Sequence, residues 1–290
     1  MKHGIYYAYW ERQWEADYVP YVKKVANLGF DILEIGGAPL PDYTKEQIRA
    51  LKRAAKDAGI KITCGYGPKP QHNIAALDYG SRKGAFAWYE KLFQVLEKLE
   101  CTYLGGGIYS YWPVDYAKPI EKEKDWIQSV EAMKELADKA QKYNITLGCE
   151  ALNRFEGYLI NTAAEGVKFI KEVGRKNVKL HLDTFHMSIE EDSLGGAIRT
   201  AGKYLGNLHT GERNRKVPGQ GNMPWWEIRE ALKDIKFDGD VIMEPFVTMG
   251  GQVGSDIKIW RDISEGATME KLDMDAKNAV AFQRFILDYK

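Results

Sequence analysis

Four short apolar segments in the second half of the chain each end in a side chain that can bind a metal ion. Their last residues are Glu150, Asp183, His209 and Glu244. Three carboxylates and one imidazole suit a divalent ion such as Mn²⁺, Co²⁺ or Mg²⁺, which would act as a Lewis acid on substrate oxygens. A single acid at a strand end is commonly a helix cap or an ion-pair partner, but four ligand residues in successive units favour one shared metal site.

These segments belong to an alternation of strand-like and helix-like patterns that runs through the whole chain. We expect the first four strands at residues 4–9, 30–35, 60–66 and 102–104, ahead of the four that end in candidate ligands. The helical patterns cover residues 18–28, 44–58, 82–99, 124–143, 162–173, 190–201, 224–235 and 273–289. Eight strands alternating with eight helices predict an α/β fold, a single (β/α)8 TIM barrel over residues 1–290.

A closed parallel barrel would bring the candidate ligands together, because the carboxyl ends of its strands meet on one face. A doubly wound open sheet is the alternative architecture. The chain lacks the G-x-G-x-x-G fingerprint of that fold, and an open sheet would not gather four strand ends around one point. The barrel is therefore the favoured prediction.

Charge and composition limit the partners of this chain. Its 41 basic and 41 acidic residues give a formal net charge of zero, which disfavours a nucleic-acid partner because such binding usually needs a basic surface. Three cysteines without C-x-x-C spacing indicate a reducing, cytoplasmic setting. Neither a signal peptide nor an apolar run long enough to span a membrane is evident, so no membrane partner is expected.

Longer motifs surround the candidate ligands and extend to both ends of the chain. They are residues 4–10 (GIYYAYW), 110–115 (SYWPVD), 150–156 (EALNRFE), 182–187 (LDTFHM), 209–212 (HTGE), 214–219 (NRKVPG), 243–246 (MEPF) and 258–262 (KIWRD). Together they resemble the ketose 3-epimerases, the family of D-tagatose 3-epimerase and D-allulose (D-psicose) 3-epimerase. The likeness is greatest to the allulose-type members.

This resemblance implies a xylose-isomerase-like barrel that depends on Mn²⁺ or Co²⁺ and inverts C3 of a free ketohexose, with D-fructose and D-allulose as the expected pair. By motif, Glu150 and Glu244 correspond to the catalytic acid/base pair, and the four strand-end residues correspond to the metal ligands. The positions that correspond to substrate-binding residues are Tyr6, Gly107, Trp112, Glu156, His186 and Arg215. Family members form dimers or tetramers, so a homodimer or homotetramer is expected.

The implied reaction agrees with the chemistry of the residues. Epimerisation removes a proton from one face of C3 and returns one to the other face, and a single base cannot easily reach both. Glu150 and Glu244 would therefore act as two bases, one on each face of C3, and the reaction would pass through a metal-bound enediolate. No hydride moves, so no nicotinamide cofactor is required.

Several alternatives stay open from sequence. The chain could be another xylose-isomerase-like sugar isomerase, acting between C1 and C2, or a non-catalytic sugar-binding barrel. Arg213, Arg215 and Lys216 could form a phosphate clamp for a sugar phosphate. His186 could be a surface loop histidine, and Trp14 could belong to the pocket, the core or a subunit interface.

Two residues depart from the pattern of the family that the chain resembles. Asn207 stands where relatives often carry His, and His181 stands where they often carry an apolar residue. Side chains alternate between the two faces of a strand, so both should point into the barrel, two residues before His209 and Asp183. There they could alter the affinity for the metal or the preferred ion.

Overall fold

The protein is described by a computed structural model that covers residues 1–117 and 119–288. Eight parallel strands form one closed barrel in chain order, and the last strand pairs with the first. The strands are β1 Lys2–Tyr6, β2 Ile32–Gly36, β3 Lys61–Gly65, β4 Tyr103–Gly106, β5 Thr146–Glu150, β6 Val178–Asp183, β7 Leu205–Thr210 and β8 Asp240–Met243. The predicted fold class is confirmed. The last residues of the predicted closing helix and of the predicted domain, 289–290, lie outside the described residues.

Ten α-helices lie within the described residues, two more than the sequence pattern predicted. They are α1 Val19–Leu28, α2 Lys45–Ala58, α3 Tyr79–Lys98, α4 Lys122–Gln141, α5 Ala163–Val173, α6 Thr184–Glu190, α7 Leu194–Ala201, α8 Trp225–Asp234, α9 Gly251–Asp256 and α10 Met269–Leu287. The short α9 was not predicted, because a six-residue segment with two glycines has no helical pattern of apolar residues.

The predicted helix at residues 190–201 was wrong in its start. Residues 184–190 form α6, and α7 begins only at Leu194. The cause is local: Asp183 caps α6, because its Oδ1 accepts a hydrogen bond from the backbone N–H of Phe185 at 2.7 Å. A helix therefore starts where β6 ends, and it fixes the direction of the residues that follow Asp183.

Other predicted boundaries are close to the observed ones. The first strand ends at Tyr6 rather than at residue 9, since Tyr7–Tyr9 form a 3₁₀ turn. Thr44 and Gln47 form the predicted capping box at the start of α2, each side chain accepting a hydrogen bond from the other's backbone N–H. Thr162 likewise caps α5 through the backbone N–H of Glu165.

The barrel strands separate an apolar outer face from a polar interior. Leu180 and Leu182 of β6 are completely buried, and so is Leu147 of β5, as their predicted orientation toward the helices requires. The residues that alternate with these leucines along the strands carry the polar groups of the interior, among them Glu150, His181 and Asp183. Across residues 1–117 and 119–288, no helix is both long enough and apolar enough to cross a membrane.

Candidate active site

The four strand-end residues converge. One ligand atom from each of Glu150, Asp183, His209 and Glu244 lies within 4.8 Å of the corresponding atoms of the other three. Within the described residues, Oε1 of Glu150, Oδ2 of Asp183 and Nδ1 of His209 are buried and accept or donate no hydrogen bond. Buried polar atoms are costly to leave unpaired. Two carboxylates and an imidazole with such atoms, together with the partly buried carboxylate of Glu244, fit a divalent cation, and the chemistry of the set suits Mn²⁺, Co²⁺ or Mg²⁺.

A buried acid from the opposite side of the barrel holds the imidazole of this group. Nε2 of His209 lies 2.7 Å from Oε1 of Glu34 on β2, and the other oxygen of Glu34 accepts a hydrogen bond from Thr63 Oγ1 at 3.0 Å. Burial alone would lower the pKa of His209, but the charges of Glu34 and Glu244 outweigh it and hold the pKa above its usual value. A carboxylate behind a ligating histidine orients the ring toward a metal.

Glu150 and Glu244 bring two negative charges into one buried group. Burial, followed by the charge of Glu244, holds the pKa of Glu150 well above its usual value, and His209 acts in the opposite direction. A cation bound among these residues would favour the charged form of Glu150 again. The two glutamates belong to different walls of the site, since Glu150 ends β5 and Glu244 follows β8, with β6 and β7 between them.

His186 lies on α6 rather than in a surface loop, so that alternative is wrong. It is buried, with Nε2 at 3.7 Å from Glu150 Oε1 and 3.9 Å from Asp183 Oδ2. Nδ1 of its ring lies 2.7 Å from Asn153 Nδ2, which also donates a hydrogen bond to Glu156 Oε1 at 3.1 Å. Asn153 therefore connects His186 and Glu156 at the rim of the group.

Arg215 is buried and reaches the same group from the loop after β7. Its Nη2 donates a hydrogen bond to Glu156 Oε1 at 3.1 Å, and its Nη1 lies 3.7 Å from Glu244 Oε2. The guanidinium carbon sits 3.6 Å from the centre of the Phe185 ring, a cation–π contact that fixes its plane. The backbone of Arg215 has a φ of 64°, a left-handed conformation that is rare outside glycine.

The basic residues around Arg215 do not converge with it. Arg213 is exposed, and the ammonium group of Lys216 is 2.9 Å from Glu265 Oε1 on the surface. The predicted alternative of a three-residue phosphate clamp therefore has no geometric basis. The loop itself is fixed by Glu212, which is fully buried and accepts hydrogen bonds from the backbone N–H groups of Gly219 and Met223 and from the indole N–H of Trp225.

The group opens into a pocket of about 930 Å³ at the carboxyl ends of the strands. All six residues that the resemblance assigned to substrate binding line it: Tyr6, Gly107, Trp112, Glu156, His186 and Arg215. Trp14, whose place was open, also lines the pocket and contacts Trp112 edge to face at 5.9 Å. Asp183 lies below the pocket floor and is 1% exposed.

A glycine-rich turn shapes the wall between β4 and the pocket. Gly106 has a φ of 114°, and a Cβ there would lie 2.3 Å from the carbonyl oxygen of Tyr66. Only glycine allows the two backbones to approach this closely. Close backbone packing at Gly106 therefore shapes this wall of the pocket, which Gly106 and Gly107 line.

Sequence reasoning missed four residues of the site: Glu34, Thr63, Asn153 and Phe185. Glu34 had a signal, since an acid in the middle of the apolar segment Ile32–Gly36 must face the barrel interior. Asn153 and Phe185 lie inside the motifs at residues 150–156 and 182–187. Their roles depend on contacts with His186 and Arg215 that no local pattern encodes.

His181 and Asn207 lie where strand alternation predicted. They are partners in the register between β6 and β7, and Asp183 and His209 are partners two residues further on. Both are 1% exposed. The ring of His181 meets the ring of His209 edge to face, with their centres 4.0 Å apart. These two residues thus form a polar layer directly beneath Asp183 and His209, and His181 is in register with Glu150.

Comparison with known proteins extends this picture. Residues 22–263 match the family model described as the xylose isomerase-like TIM barrel. A D-psicose 3-epimerase of Ruminiclostridium cellulolyticum is 58% identical over 288 residues, which is 99% of this chain and 98% of that protein.

Two solved structures resemble the protein along nearly its whole length. Crystal structures of a D-psicose 3-epimerase with D-tagatose, from Clostridium cellulolyticum H10, have a TM-score of 0.99 at 58% identity and cover 100% of both chains. A D-psicose 3-epimerase crystallised in the presence of D-fructose has a TM-score of 0.98 at 52% identity, with 99% of each chain covered.

Proposed function

Because the chain belongs to the D-psicose 3-epimerases, carbohydrate epimerases with a xylose isomerase-like TIM barrel, we propose that it interconverts D-fructose and D-allulose (D-psicose) with the help of a divalent metal ion. The observation that carries this proposal is the pairing of Glu150 and Glu244 in one buried group at the floor of a sugar-sized pocket. The pair of ketoses is supported by the relative that was crystallised in the presence of D-fructose.

Glu150, Asp183, His209 and Glu244 would hold the ion. Their fit rests on the convergence of one ligand atom from each, and on the buried, unpaired atoms of Glu150, Asp183 and His209. When bound, the ion supplies Lewis-acid stabilisation of negative charge that develops on the sugar oxygens. Its identity among Mn²⁺, Co²⁺ and Mg²⁺ is left to experiment, because the mixed oxygen and nitrogen set accepts all three.

The two glutamates would move the proton at C3. One carboxylate takes the proton from one face of the carbon, and the other returns a proton to the opposite face, which inverts the configuration. Their origin on β5 and after β8 supports this division, since the two carboxylates approach the pocket floor from different walls. Either glutamate can act first, depending on which of the two ketoses is bound.

Glu156, His186 and Arg215 would orient the sugar above the glutamates. Glu156 and Arg215 hold each other by a 3.1 Å hydrogen bond, and Asn153 fixes His186 beside them. This buried network presents donors and acceptors for the hydroxyl groups next to the reacting carbon. Tyr6, Gly107 and Trp112 would contact the remaining part of the sugar, where aromatic faces pack against its C–H groups.

The test is proton NMR of D-fructose incubated in D₂O with the Mn²⁺-loaded protein, and with the chelator-treated protein as control. We expect D-allulose that carries deuterium at C3, and no conversion without metal. D-Glucose or D-mannose as the product would overturn the proposal in favour of isomerisation between C1 and C2. Conversion of D-tagatose or L-ribulose but not of D-fructose would keep the ketose 3-epimerase and replace the proposed substrate pair.

A further inference from the structure

A second group of potential ligands overlaps the first one at a lower level of the barrel. One ligand atom from each of Glu150, His181 and His209 lies within 4.8 Å of the others. All three residues are buried, with His181 only 1% exposed. Glu150 and His209 belong to both groups, whereas His181 belongs to the lower one alone.

The ring of His181, like the side-chain amide of its register partner Asn207, lacks hydrogen-bond partners within the described residues. Both nitrogens of its ring are buried, and neither makes a hydrogen bond with any residue in the described part of the chain. A neutral imidazole carries one donor and one acceptor, and buried side-chain groups of this kind are normally paired. Strand β4, which lies beyond β5 in the barrel, leaves room for the ring through Gly105, where a Cβ would lie 2.8 Å from Nδ1 of His181.

Packing alone does not account for this residue. The contact between the rings of His181 and His209, with centres 4.0 Å apart, could be made by an apolar side chain without leaving two polar atoms unpaired. A cation shared with Glu150 and His209 would satisfy at least one of the two nitrogens. The geometry thus favours a ligand role over a purely structural one.

We propose that Glu150, His181 and His209 form a second, deeper divalent-cation position that prefers Zn²⁺ and competes with the upper position. This inference rests on the proposed function, because the upper group is taken to hold the catalytic ion. Two imidazoles and one carboxylate suit zinc-type ions, whereas three carboxylates and one imidazole suit harder ions such as Mn²⁺ and Mg²⁺. An ion in the deeper position removes Glu150 and His209 from the upper one, so the two cannot be filled independently.

The direct test follows the histidine rings. The chain has five histidines, His3, His72, His181, His186 and His209, so their ring ¹⁵N resonances can be assigned by single substitutions. Zn²⁺, which is diamagnetic, is titrated into the metal-free full-length protein. We expect the ring nitrogens of His181 and His209 to shift together at the same Zn²⁺ concentration. A shift of His209 without His181 would overturn the proposal, because it means that the ion occupies the upper position.

Affinity measurements add a second readout. His181→Leu should lower the Zn²⁺ affinity by about tenfold or more and change the Mn²⁺ affinity by less than about threefold, since a direct ligand is lost only from the deeper position. Asn207→Ser is the matched control: it alters the register partner of His181 in the same layer and removes no ring nitrogen. An equal loss of Zn²⁺ affinity in both variants would overturn the ligand role. His181→Asn replaces the leucine variant if that protein does not fold.

The third test measures whether Zn²⁺ inhibits catalysis by the Mn²⁺-loaded enzyme. Zn²⁺ added to the Mn²⁺-loaded enzyme should inhibit turnover, and His181→Leu should raise the half-inhibiting Zn²⁺ concentration by about tenfold. Unchanged inhibition in this variant would overturn the proposed competition. The NMR titration does not depend on turnover, so a protein without epimerase activity would contradict the proposed function and leave the deeper position to be judged by its histidine shifts.

Discussion

The two halves of the barrel contribute different things to the site. The half formed by β5 to β8 supplies the charged group at the strand ends: Glu150, Asp183, His209 and Glu244. The half formed by β1 to β4 supplies aromatic rings and close backbone, as at Tyr6, Tyr66 and Gly106. We call strands β5 to β8, with the residues that follow them, the charged half of the barrel, and strands β1 to β4, with the residues that follow them, the shape half.

Glu34 is the exception that connects the halves. It is a fully buried acid on β2, yet its carboxylate acts on His209 of β7 across the barrel. Within its own half His209 has Asp183 and Ile242 as register partners, whereas the group that faces its Nε2 at 2.7 Å is Glu34. The shape half therefore also orients one candidate metal ligand, because its buried Glu34 faces the ring of His209.

The largest effect should come from the charged half. Glu150→Gln and Glu244→Gln each keep the size of the side chain and remove its ability to take a proton. We expect kcat to fall by about 10²- to 10⁴-fold in each variant, the usual contribution of a positioned acid or base. Turnover of D-fructose and D-allulose is measured at saturating Mn²⁺, with bound metal determined on the same samples.

The metal determination separates two causes of that loss. A variant that retains metal and loses turnover supports proton transfer by the missing carboxylate. Full turnover by either metal-bound variant would show that a single base suffices, and the two-glutamate mechanism would be wrong. Glu90→Gln on the outer helix α3 is the control, since it substitutes a glutamate outside the barrel interior.

Substitution of Glu34 tests whether the shape half affects metal binding by the charged half. Glu34→Gln removes the negative charge that faces His209 at 2.7 Å. We expect metal affinity to fall by about 10- to 100-fold, the usual cost of losing a partner behind a ligating histidine, with kcat largely restored at saturating metal. Calorimetric titration with Mn²⁺ measures this. Thr63→Val, which removes only the hydroxyl bonded to Glu34, should give a smaller loss; an unchanged affinity in Glu34→Gln would leave the halves uncoupled.

The fold was predictable because it depends on repeated local patterns. Alternating strands and helices, with ligands at four strand ends, were enough to predict the closed barrel and to bring Glu150 and Asp183 together. The error at residues 190–201 arose where one residue serves two purposes. Asp183 ends β6 and caps α6, so the helix starts earlier than the apolar pattern indicates.

From residue spacing alone the site was predictable only in its charged half, whereas Tyr6, Gly107 and Trp112 of the other half, which line the pocket, came from the resemblance to the epimerases. Ligands at strand ends leave a sequence signal, whereas the contact of Glu34 with His209 joins residues 175 positions apart on β2 and β7. The pairing of Arg215 with Phe185 and Glu156 likewise depends on a left-handed backbone in a loop. Such contacts follow from the closed barrel and not from spacing along the chain.

A smaller effect should appear in stability, within the loop that carries Arg215. The carboxylate of Glu212 accepts hydrogen bonds from three N–H groups. Glu212→Gln replaces one acceptor oxygen by an NH₂ group, so at least one of these hydrogen bonds is lost. We expect the free energy of unfolding to fall by about 1–3 kcal/mol, as for other buried hydrogen-bonding groups that lose a partner. Urea unfolding measures it. Glu265→Gln is the matched control, because that acid is exposed and paired with Lys216 on the surface; equal losses would mean that burial of Glu212 does not matter.

The smallest effect should come from the shape half. Trp112→Phe keeps an aromatic ring in the pocket wall but loses the part of the indole that packs against Gly67 and Trp14. We expect KM to rise by a few-fold, roughly 1 kcal/mol of binding, with kcat nearly unchanged, because the ring binds ground state and transition state alike. Steady-state kinetics on D-fructose, D-tagatose and L-ribulose measure this, with the exposed Trp226→Phe as control. A large fall in kcat on all three sugars would mean that the wall positions the reacting carbon, and that charge and shape are not divided between the halves.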